Sequence, residues 1–219
     1  MKLIFENNDF AIVTKPAGMN FHSEDEAGFV VLASEMLQSK LFPVHRLDKM
    51  TSGLVILAKS SEVANAFLKL FKSRKVEKHY LAISLRKPKK KMGKIVGDMA
   101  KGRRGSWKLL RTKENPAITR FISTPLNDGA ILFLVKPYTG KTHQIRVTLK
   151  SVGAPIAGDI RYAAVEDAKD LDRGYLHAYA LKFDLNGETY CFRSLPDEGE
   201  LFLTQECQEK IEKLYSEQE

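Results

Sequence analysis

The apolar segments of this chain are short, and their length limits the folds that it can adopt. The run LVILA, Leu54–Ala58, follows the polar turn sequence MTSG. Such a run is too short for a buried helix but long enough for a buried strand. No apolar run approaches the roughly 20 residues that a membrane-spanning helix requires. The sequence therefore predicts a soluble protein with a sheet in its core.

A lone carboxylate, Asp48, precedes this buried strand and lies between Arg46 and Lys49. An Asp before Thr-Ser-Gly often caps a turn through its side-chain oxygen. A strand held in the core would also fix the turn before it, and would hold the carboxylate rigidly at the rim of the sheet, where positioned chemistry is possible. The residues alone leave both interpretations open.

Short strands and a few helices fill the rest of the chain. Strands are predicted at 2–5, 10–14, 53–59, 78–85, 117–123 and 130–136, with a hairpin at Asn186-Gly187. Helices are predicted at about 28–40, 61–73 and 140–153 and from about 198. Ser60 or Ser61 can cap the second of these helices, and the last has an inner stripe of Cys207, Ile211 and Leu214. The strands outnumber the helices without strict alternation, so we predict an α+β fold with a mixed or largely antiparallel sheet. A length of 219 residues suits one domain, or two small lobes that share a core.

Positive charge is concentrated in one segment. The net charge is +8, which favours a polyanionic partner. Residues 86–111, here called the basic arm, contain many Lys and Arg residues, several glycines and a single acid, Asp98, and are predicted to form a long flexible loop or hairpin between strands. The arm is either a solvated flexible loop or a segment that binds the phosphate groups of a nucleic acid. The second interpretation is favoured, because so one-sided a run would repel itself without a partner.

The ends and the cysteines exclude several classes of protein. The N-terminus, MKLIFENNDF, has no long apolar stretch and predicts no signal peptide, so we expect a cytoplasmic protein. Cys191 and Cys207 are not spaced as CxxC, and few other ligand residues lie near them, so no zinc site is expected.

Several motifs, in their expected order, resemble those of the RluA-type pseudouridine synthases. They are KPAG (Lys15–Gly18) with His22 after it, HRLDKMTSGLVILAK from His45, KHYLAI from Lys78, GKTHQIRVTLKSVGAPIAGDIRY from Gly140, and LHAYALKF from Leu176. Thr148 stands where the family often has His, and the basic arm is not constant in the family. The resemblance covers nearly the whole chain.

The resemblance implies a fold and an active site. The fold would be α+β, with a mixed, mainly antiparallel central sheet, flanking helices and two lobes around a catalytic cleft. Residues 1–219 would form a single catalytic domain, with the basic arm inserted and no appended N-terminal RNA-binding domain. Asp48 would be the essential acid, Arg146 its fixed cation, and Tyr80 would stack on the base near the C5 proton. The sequence does not decide whether Asp48 acts as nucleophile or as base.

The implied reaction isomerises a uridine in structured rRNA or tRNA, with a stem-loop favoured, and requires no cofactor and no metal. Further residues are expected to contact the substrate or the RNA: His45, Arg46, Thr51, His143, Gln144, Lys89, Lys90, Lys91, Arg103 and Arg104. A monomer is expected. Two alternatives stay open. A catalytically silent RNA-binding protein would bind without isomerisation, and an RNA base glycosylase would leave abasic sites.

Overall fold

The computed structural model describes residues 1–217 and confirms a mixed α+β fold with a large, mainly antiparallel sheet and few helices. The strands are β1 (Lys2–Glu6), β2 (Phe10–Lys15), β3 (Phe42–Pro43), β4 (Ser52–Ala58), β5 (Glu77–Ser84), β6 (Met92–Gly97), β7 (Met99–Lys101), β8 (Trp107–Leu109), β9 (Ala117–Pro125), β10 (Ile131–Pro137), β11 (Leu176–Leu185) and β12 (Glu188–Arg193). The helices are α1 (Phe29–Met36), α2 (Ser61–Lys72), α3 (Gln144–Ser151), α4 (Glu200–Leu203) and α5 (Gln205–Ser216). No helix within residues 1–217 is long and apolar enough to cross a bilayer.

The chain divides into two compact units. The first contains residues 1–77 and 178–194. Its strands follow the order β1-β2-β4-β11, with β12 paired to β11 and β3 paired to β4. All seven residues of β4 are buried, as the apolar run predicted.

Aromatic side chains fill the core of the first unit. The Phe10 ring meets the rings of Phe67, Phe183 and Tyr190, with centroid distances of 5.5, 5.5 and 5.0 Å. Phe67 comes from α2, whose N-terminus is capped by Ser60: its hydroxyl accepts the Val63 N–H at 3.2 Å, as the sequence predicted. The cap and the buried Phe67 together fix α2 against this core.

The second unit contains residues 78–177 and 195–219, of which the structure describes those up to 217. Its strands follow the order β5-β10-β9-β6, and all three pairings are antiparallel. Opposite residues of antiparallel strands share one face of the sheet. Tyr80, Val135 and Phe121 therefore lie on one face, together with Thr119, and α3 packs there through its bonds to Thr119.

The opposite face of this sheet receives α5. The helix contacts β10, and the ring of Tyr215 lies 5.3 Å from the ring of His79 in a T-shaped contact. Its buried stripe consists of Cys207, Ile211 and Leu214, the three residues that the sequence assigned to it. The two faces of the sheet thus have separate functions in packing: α3 covers the face of Tyr80, and α5 covers part of the other.

The prediction that residues 86–111 form one flexible loop or hairpin was wrong for its middle part. Residues 92–97 form β6, an edge strand paired with β9, and only β7 and β8 form a separate hairpin. Asp98, the single acid, fastens the base of this hairpin by accepting the backbone N–H groups of Glu114 and Asn115 at 3.0 and 2.9 Å. A hydrogen bond from Thr112 lowers the pKa of Asp98.

Candidate active site

Asp48 lies in a tight turn immediately before β4. The backbone N–H of Thr51 donates to the Asp48 carbonyl at 3.0 Å and closes the turn. Thr51 and Ser52 are buried, whereas Asp48 is partly exposed. The buried strand thus fixes the backbone that carries the carboxylate, which confirms the predicted placement of Asp48 in a turn before a core strand.

A buried lysine ties this turn to the KPAG segment. Lys15 is 1% exposed. Its ammonium group donates to the carbonyls of Pro16, Met19 and Lys49 at 2.8, 2.9 and 3.2 Å. The Gly18 N–H also donates to the Lys49 carbonyl, at 2.9 Å. A buried ammonium must have such acceptors, so Lys15 holds the residue next to Asp48 in place.

The TSG motif requires its glycine. Gly53 has φ +107°, and a Cβ atom built there would lie 2.3 Å from the Ala178 carbonyl oxygen. Both the backbone conformation and the close approach of β11 therefore exclude larger residues. The start of β4 therefore packs closely against the neighbouring strand β11, and this packing adds to the rigidity of the Asp48 turn.

The other predicted residues near Asp48 have different environments. His45 Nε2 accepts the Ile56 N–H at 2.8 Å, and the ring lies 5.1 Å from the Phe71 ring. One ring nitrogen of His45 thus serves the fold of the first unit. Arg46 is exposed. Roles for His45, Arg46 and Thr51 in RNA contact stay predictions.

In the second unit, Arg146 is held by a carboxylate that the sequence analysis did not assign. Its Nε and Nη2 atoms donate to the two carboxylate oxygens of Asp159, both at 2.8 Å. Arg146 is 6% exposed and Asp159 is 0% exposed. Such a two-point contact fixes the plane of the guanidinium. The pairing of Arg146 with Asp48 that the resemblance implies stays a prediction.

The ring of Tyr162 also contacts the guanidinium group of Arg146. The guanidinium carbon lies 5.0 Å from the centroid of the Tyr162 ring. The Tyr162 hydroxyl accepts the Trp107 N–H at 2.7 Å and lies 2.8 Å from His143 Nδ1. Burial raises the pKa of Tyr162, so its hydroxyl stays protonated. Tyr162 therefore connects Arg146 with the hairpin of the basic arm.

A glycine shapes the loop that supplies Asp159 and Tyr162. Gly158 has φ +75°, and a Cβ atom there would lie 1.9 Å from the Arg173 carbonyl oxygen. The GDIRY sequence then turns back on itself, because the Tyr162 N–H donates to the Asp159 carbonyl at 3.1 Å. The turn brings both side chains to Arg146.

Tyr80 is half-buried in β5, on the face of the sheet that α3 covers. Lys78 lies two residues before it in the same strand and therefore on the same face. Burial lowers the pKa of Lys78 to about 8, because desolvation disfavours the charged ammonium. Within residues 1–217, no group of three or more His, Cys, Asp or Glu side chains is arranged to hold a metal ion.

The amino-acid sequence is similar to those of known proteins. The model of the RNA pseudouridylate synthase family matches residues 9–151. An "Uncharacterized RNA pseudouridine synthase" of Haemophilus influenzae is 44% identical over 97% of this chain and 95% of its own length.

This chain belongs to the RNA pseudouridine synthase family.

Members of this family are isomerases, and the RluA-type resemblance is confirmed. The "Ribosomal large subunit pseudouridine synthase C" of Haemophilus influenzae is 31% identical over 90% of this chain and 65% of its own length. Among solved structures, "Human RNA Pseudouridylate Synthase Domain Containing 1" superposes with a TM-score of 0.75 at 22% identity, covering 97% of this chain and 94% of the human one. The structural likeness supports the fold.

The remaining predicted RNA contacts of this synthase lie in the second unit. The Gln144 side-chain oxygen accepts from Thr139 and from the Lys141 N–H, and its amide donates to Ile118 and Thr119. Gln144 thus anchors the start of α3, while His143, in the left-handed region at φ 56°, precedes it. The arm cations are all exposed: Lys89, Lys90, Lys91, Arg103 and Arg104. RNA contact by any of these residues stays a prediction.

We expect Asp159→Asn to lower the free energy of unfolding by about 3–5 kcal/mol. The change leaves the buried Arg146 charge without the carboxylate that faces it, and breaking a buried pair from one side has a cost of this size. Urea unfolding measures the loss. Asp170→Asn is the matched control, since Asp170 is 78% exposed and its ion pair with Lys169 is long, at 3.7 Å. A loss below about 1 kcal/mol for Asp159→Asn would contradict the claim that Asp159 stabilises the buried charge of Arg146.

Proposed function

We propose that this synthase converts a specific uridine of structured rRNA or tRNA into pseudouridine, with Asp48 as the essential catalytic residue. The observation that supports this most directly is the rigid turn that presents Asp48. Lys15 and a fully buried strand fix its backbone, while Asp48 itself is partly exposed. A turn cap would need no such support, because it only satisfies local backbone groups.

The proposed reaction is balanced without any second reactant. The N1–C1′ bond of the uridine breaks, the base turns, a C5–C1′ bond forms, and the C5 proton moves to N1 through a base or solvent. Asp48 either adds to an electrophilic carbon or acts as the base at the sugar. Tyr80 stacks on the base and stands near the C5 proton. Arg146, oriented by Asp159, supplies a fixed positive charge to the site.

A uridine in folded RNA must leave its stack to reach Asp48. Flipping a nucleotide has a cost of a few kcal/mol, and phosphate contacts can offset it. The exposed cations Arg46 and those of the basic arm are candidates for these contacts. The name of the relative that is 31% identical points to large-subunit rRNA as the first RNA to test. We also propose that the protein works in the cytoplasm.

We expect the basic arm to supply affinity rather than chemistry. Changing Lys89, Lys90, Lys91, Arg103 and Arg104 to Ser should weaken RNA binding and flatten its dependence on salt. The slope of log K against log [salt] should fall by roughly 0.7 to 0.9 for each lost phosphate contact. The binding constant is measured by fluorescence anisotropy between low and high salt.

The control for the arm removes the same number of exposed cations from the first unit: Lys40, Lys69, Lys72, Lys75 and Lys182, each changed to Ser. It corrects for the change in net charge. Equal slopes for the arm variant and this control would show that the arm does not lie on the RNA.

Incubation of the purified protein with total cellular RNA tests the function itself. We expect new pseudouridine at one or a few positions, detected by mass spectrometry of the digested RNA, and no abasic sites. Abasic sites without pseudouridine would make the protein a glycosylase. Tight RNA binding with neither product would make it a silent binding protein. Either result would contradict the proposal.

A further inference from the structure

The sheet of the second unit has a basic row on the face opposite Tyr80. Lys94 of β6 lies directly opposite Arg120 of β9, and Arg120 lies opposite Lys136 of β10. Because opposite residues share a face, the three cations stand side by side across three strands. Arg120 and Lys136 are next in the chain to Phe121 and Val135, which share the face of Tyr80. Because successive side chains of a strand point to opposite faces, the cations lie on the other face.

An apolar row lies next to the basic row on the same face. It consists of Met92, Ile122 and Leu134, which are also opposite one another in register. Met92, at the start of the edge strand β6, is 66% exposed. Tyr138, two residues beyond Lys136, adds a half-buried ring, and the Lys136 ammonium lies 5.8 Å from its centroid.

The two rows line a cavity of about 480 Å³. Its lining contains three cations, apolar side chains, Tyr138 and His79, and no acidic side chain among the described residues. Within residues 1–217, the side chains of Lys94 and Arg120 make no hydrogen bond or ion pair. Like charges directly opposite each other destabilise a sheet, so this arrangement has a cost in folding that an anionic ligand would remove.

We infer that this face binds a single-stranded segment of RNA, separately from the face of Tyr80. The basic row spans two strand spacings, about 10 Å, and offers phosphate contacts, while Tyr138 and the apolar row offer surfaces for a base. Sheets that bind single-stranded RNA combine these two elements. The volume lies within the usual range of small-ligand sites, about 300–1,000 Å³. The inference rests on the proposed function, because it takes RNA as the partner.

The choice of RNA over an acidic protein follows from the combination of side chains. An acidic peptide would need the cations alone, whereas this face places a tyrosine and exposed apolar groups beside them. An arginine in the middle of the row can hold a phosphate with two hydrogen bonds. The surface is also distinct from the projecting hairpin of the basic arm, since Lys94 belongs to β6 of the sheet.

Binding of a fluorescent uridine dodecamer at several salt concentrations tests the inference. The variant combines Lys94→Gln and Arg120→Gln. The matched control combines Lys69→Gln and Lys72→Gln, two exposed lysines of α2 in the other unit. We expect the salt slope of the first variant to fall by about 1.4 relative to the wild type, which corresponds to two lost contacts with single-stranded RNA. The control should keep its slope.

Two further measurements make the result specific to RNA. Tyr138→Ala should weaken dodecamer binding by about 5- to 150-fold, the effect of losing one stacked base. A dodecamer with 4-thiouridine should cross-link to peptides from β9 or β10 on irradiation. Displacement of the dodecamer by poly-glutamate at equal charge concentration would assign the face to an acidic protein partner and overturn the inference.

The outcome is separable from that of the proposed function. Pseudouridine formation by the wild-type protein on total RNA is measured in parallel. If the wild type forms pseudouridine and the Lys94/Arg120 variant binds with the same slope as the control, the inference fails while the proposed function stands. If the wild type forms none but the slope changes as expected, the proposed function fails and the RNA-binding face stands.

Discussion

Asp48→Asn is expected to abolish pseudouridine formation while the fold and the RNA affinity stay largely intact. The amide matches the carboxylate in shape, and the turn is closed by the backbone carbonyl of Asp48, which the change keeps. An amide is a far poorer nucleophile and base than a carboxylate. Arg146 retains Asp159 as its buried counter-charge, so we expect little loss of stability on that side.

Three measurements separate the possible roles of Asp48: thermal unfolding, RNA binding and the single-turnover yield of pseudouridine. Asp25→Asn, an exposed carboxylate of the same unit, is the control and should behave as the wild type. Arg146→Ala, measured alongside, should lose both activity and stability, because it leaves Asp159 buried without its partner. An appreciable rate for Asp48→Asn would make Asp48 a turn cap.

Tyr80→Phe is expected to keep RNA binding and to slow turnover by about 10²–10⁴-fold, the usual contribution of a general acid or base. The phenyl ring can still stack on the base, but the hydroxyl near the C5 proton is lost. Single-turnover assays at saturating enzyme measure the chemical step without the binding step. Tyr190→Phe in β12 is the control, with an expected rate equal to the wild type. A Tyr80→Phe rate within a few-fold of the wild type would leave Tyr80 with stacking only.

Much of the fold could be predicted because short apolar runs and turn signals are local. The buried strand after Asp48, the cap of α2 and the Asn186-Gly187 hairpin were each indicated by adjacent residues. Helix α1 was predicted to reach residue 40 but ends at Met36. Two residues later, Gln38 adopts a left-handed φ of 49°, which is incompatible with a continuing helix. Nothing in the local sequence marks that end, because glycine or asparagine usually occupies such a position.

Backbone and side-chain contacts that the residue pattern does not reveal account for the other errors. Helix α3 was predicted from residue 140 but begins at Gln144, because the backbone of His143 is left-handed. The Gln144 side chain accepts hydrogen bonds from Thr139 and from the Lys141 N–H, which hold the residues before the helix in a turn. The glycines of the basic arm suggested flexibility. Gly97 instead allows close approach, as a Cβ atom there would lie 2.3 Å from the Leu110 carbonyl oxygen.

The candidate site was predicted in part. The motifs identified Asp48, Tyr80 and Arg146 as candidates, and the structure places each on a fixed element. Asp159 and Tyr162 were missed, although the motif GDIRY contains both, because their partner Arg146 lies 13 residues away from Asp159 in the chain. Lys15 was noted only as part of KPAG. Its role depends on the carbonyl of Lys49, 34 residues distant, which no local pattern reveals.

Pseudouridine mapping in cells tests the central claim most directly. Total RNA is compared from cells with the gene, without it, and without it but expressing either the wild-type protein or Asp48→Asn at equal levels. We predict that one or a few pseudouridines disappear on deletion, return with the wild-type protein and stay absent with Asp48→Asn. An unchanged map on deletion, or full restoration by Asp48→Asn, would contradict the assignment of Asp48 as the catalytic residue of an RNA pseudouridine synthase.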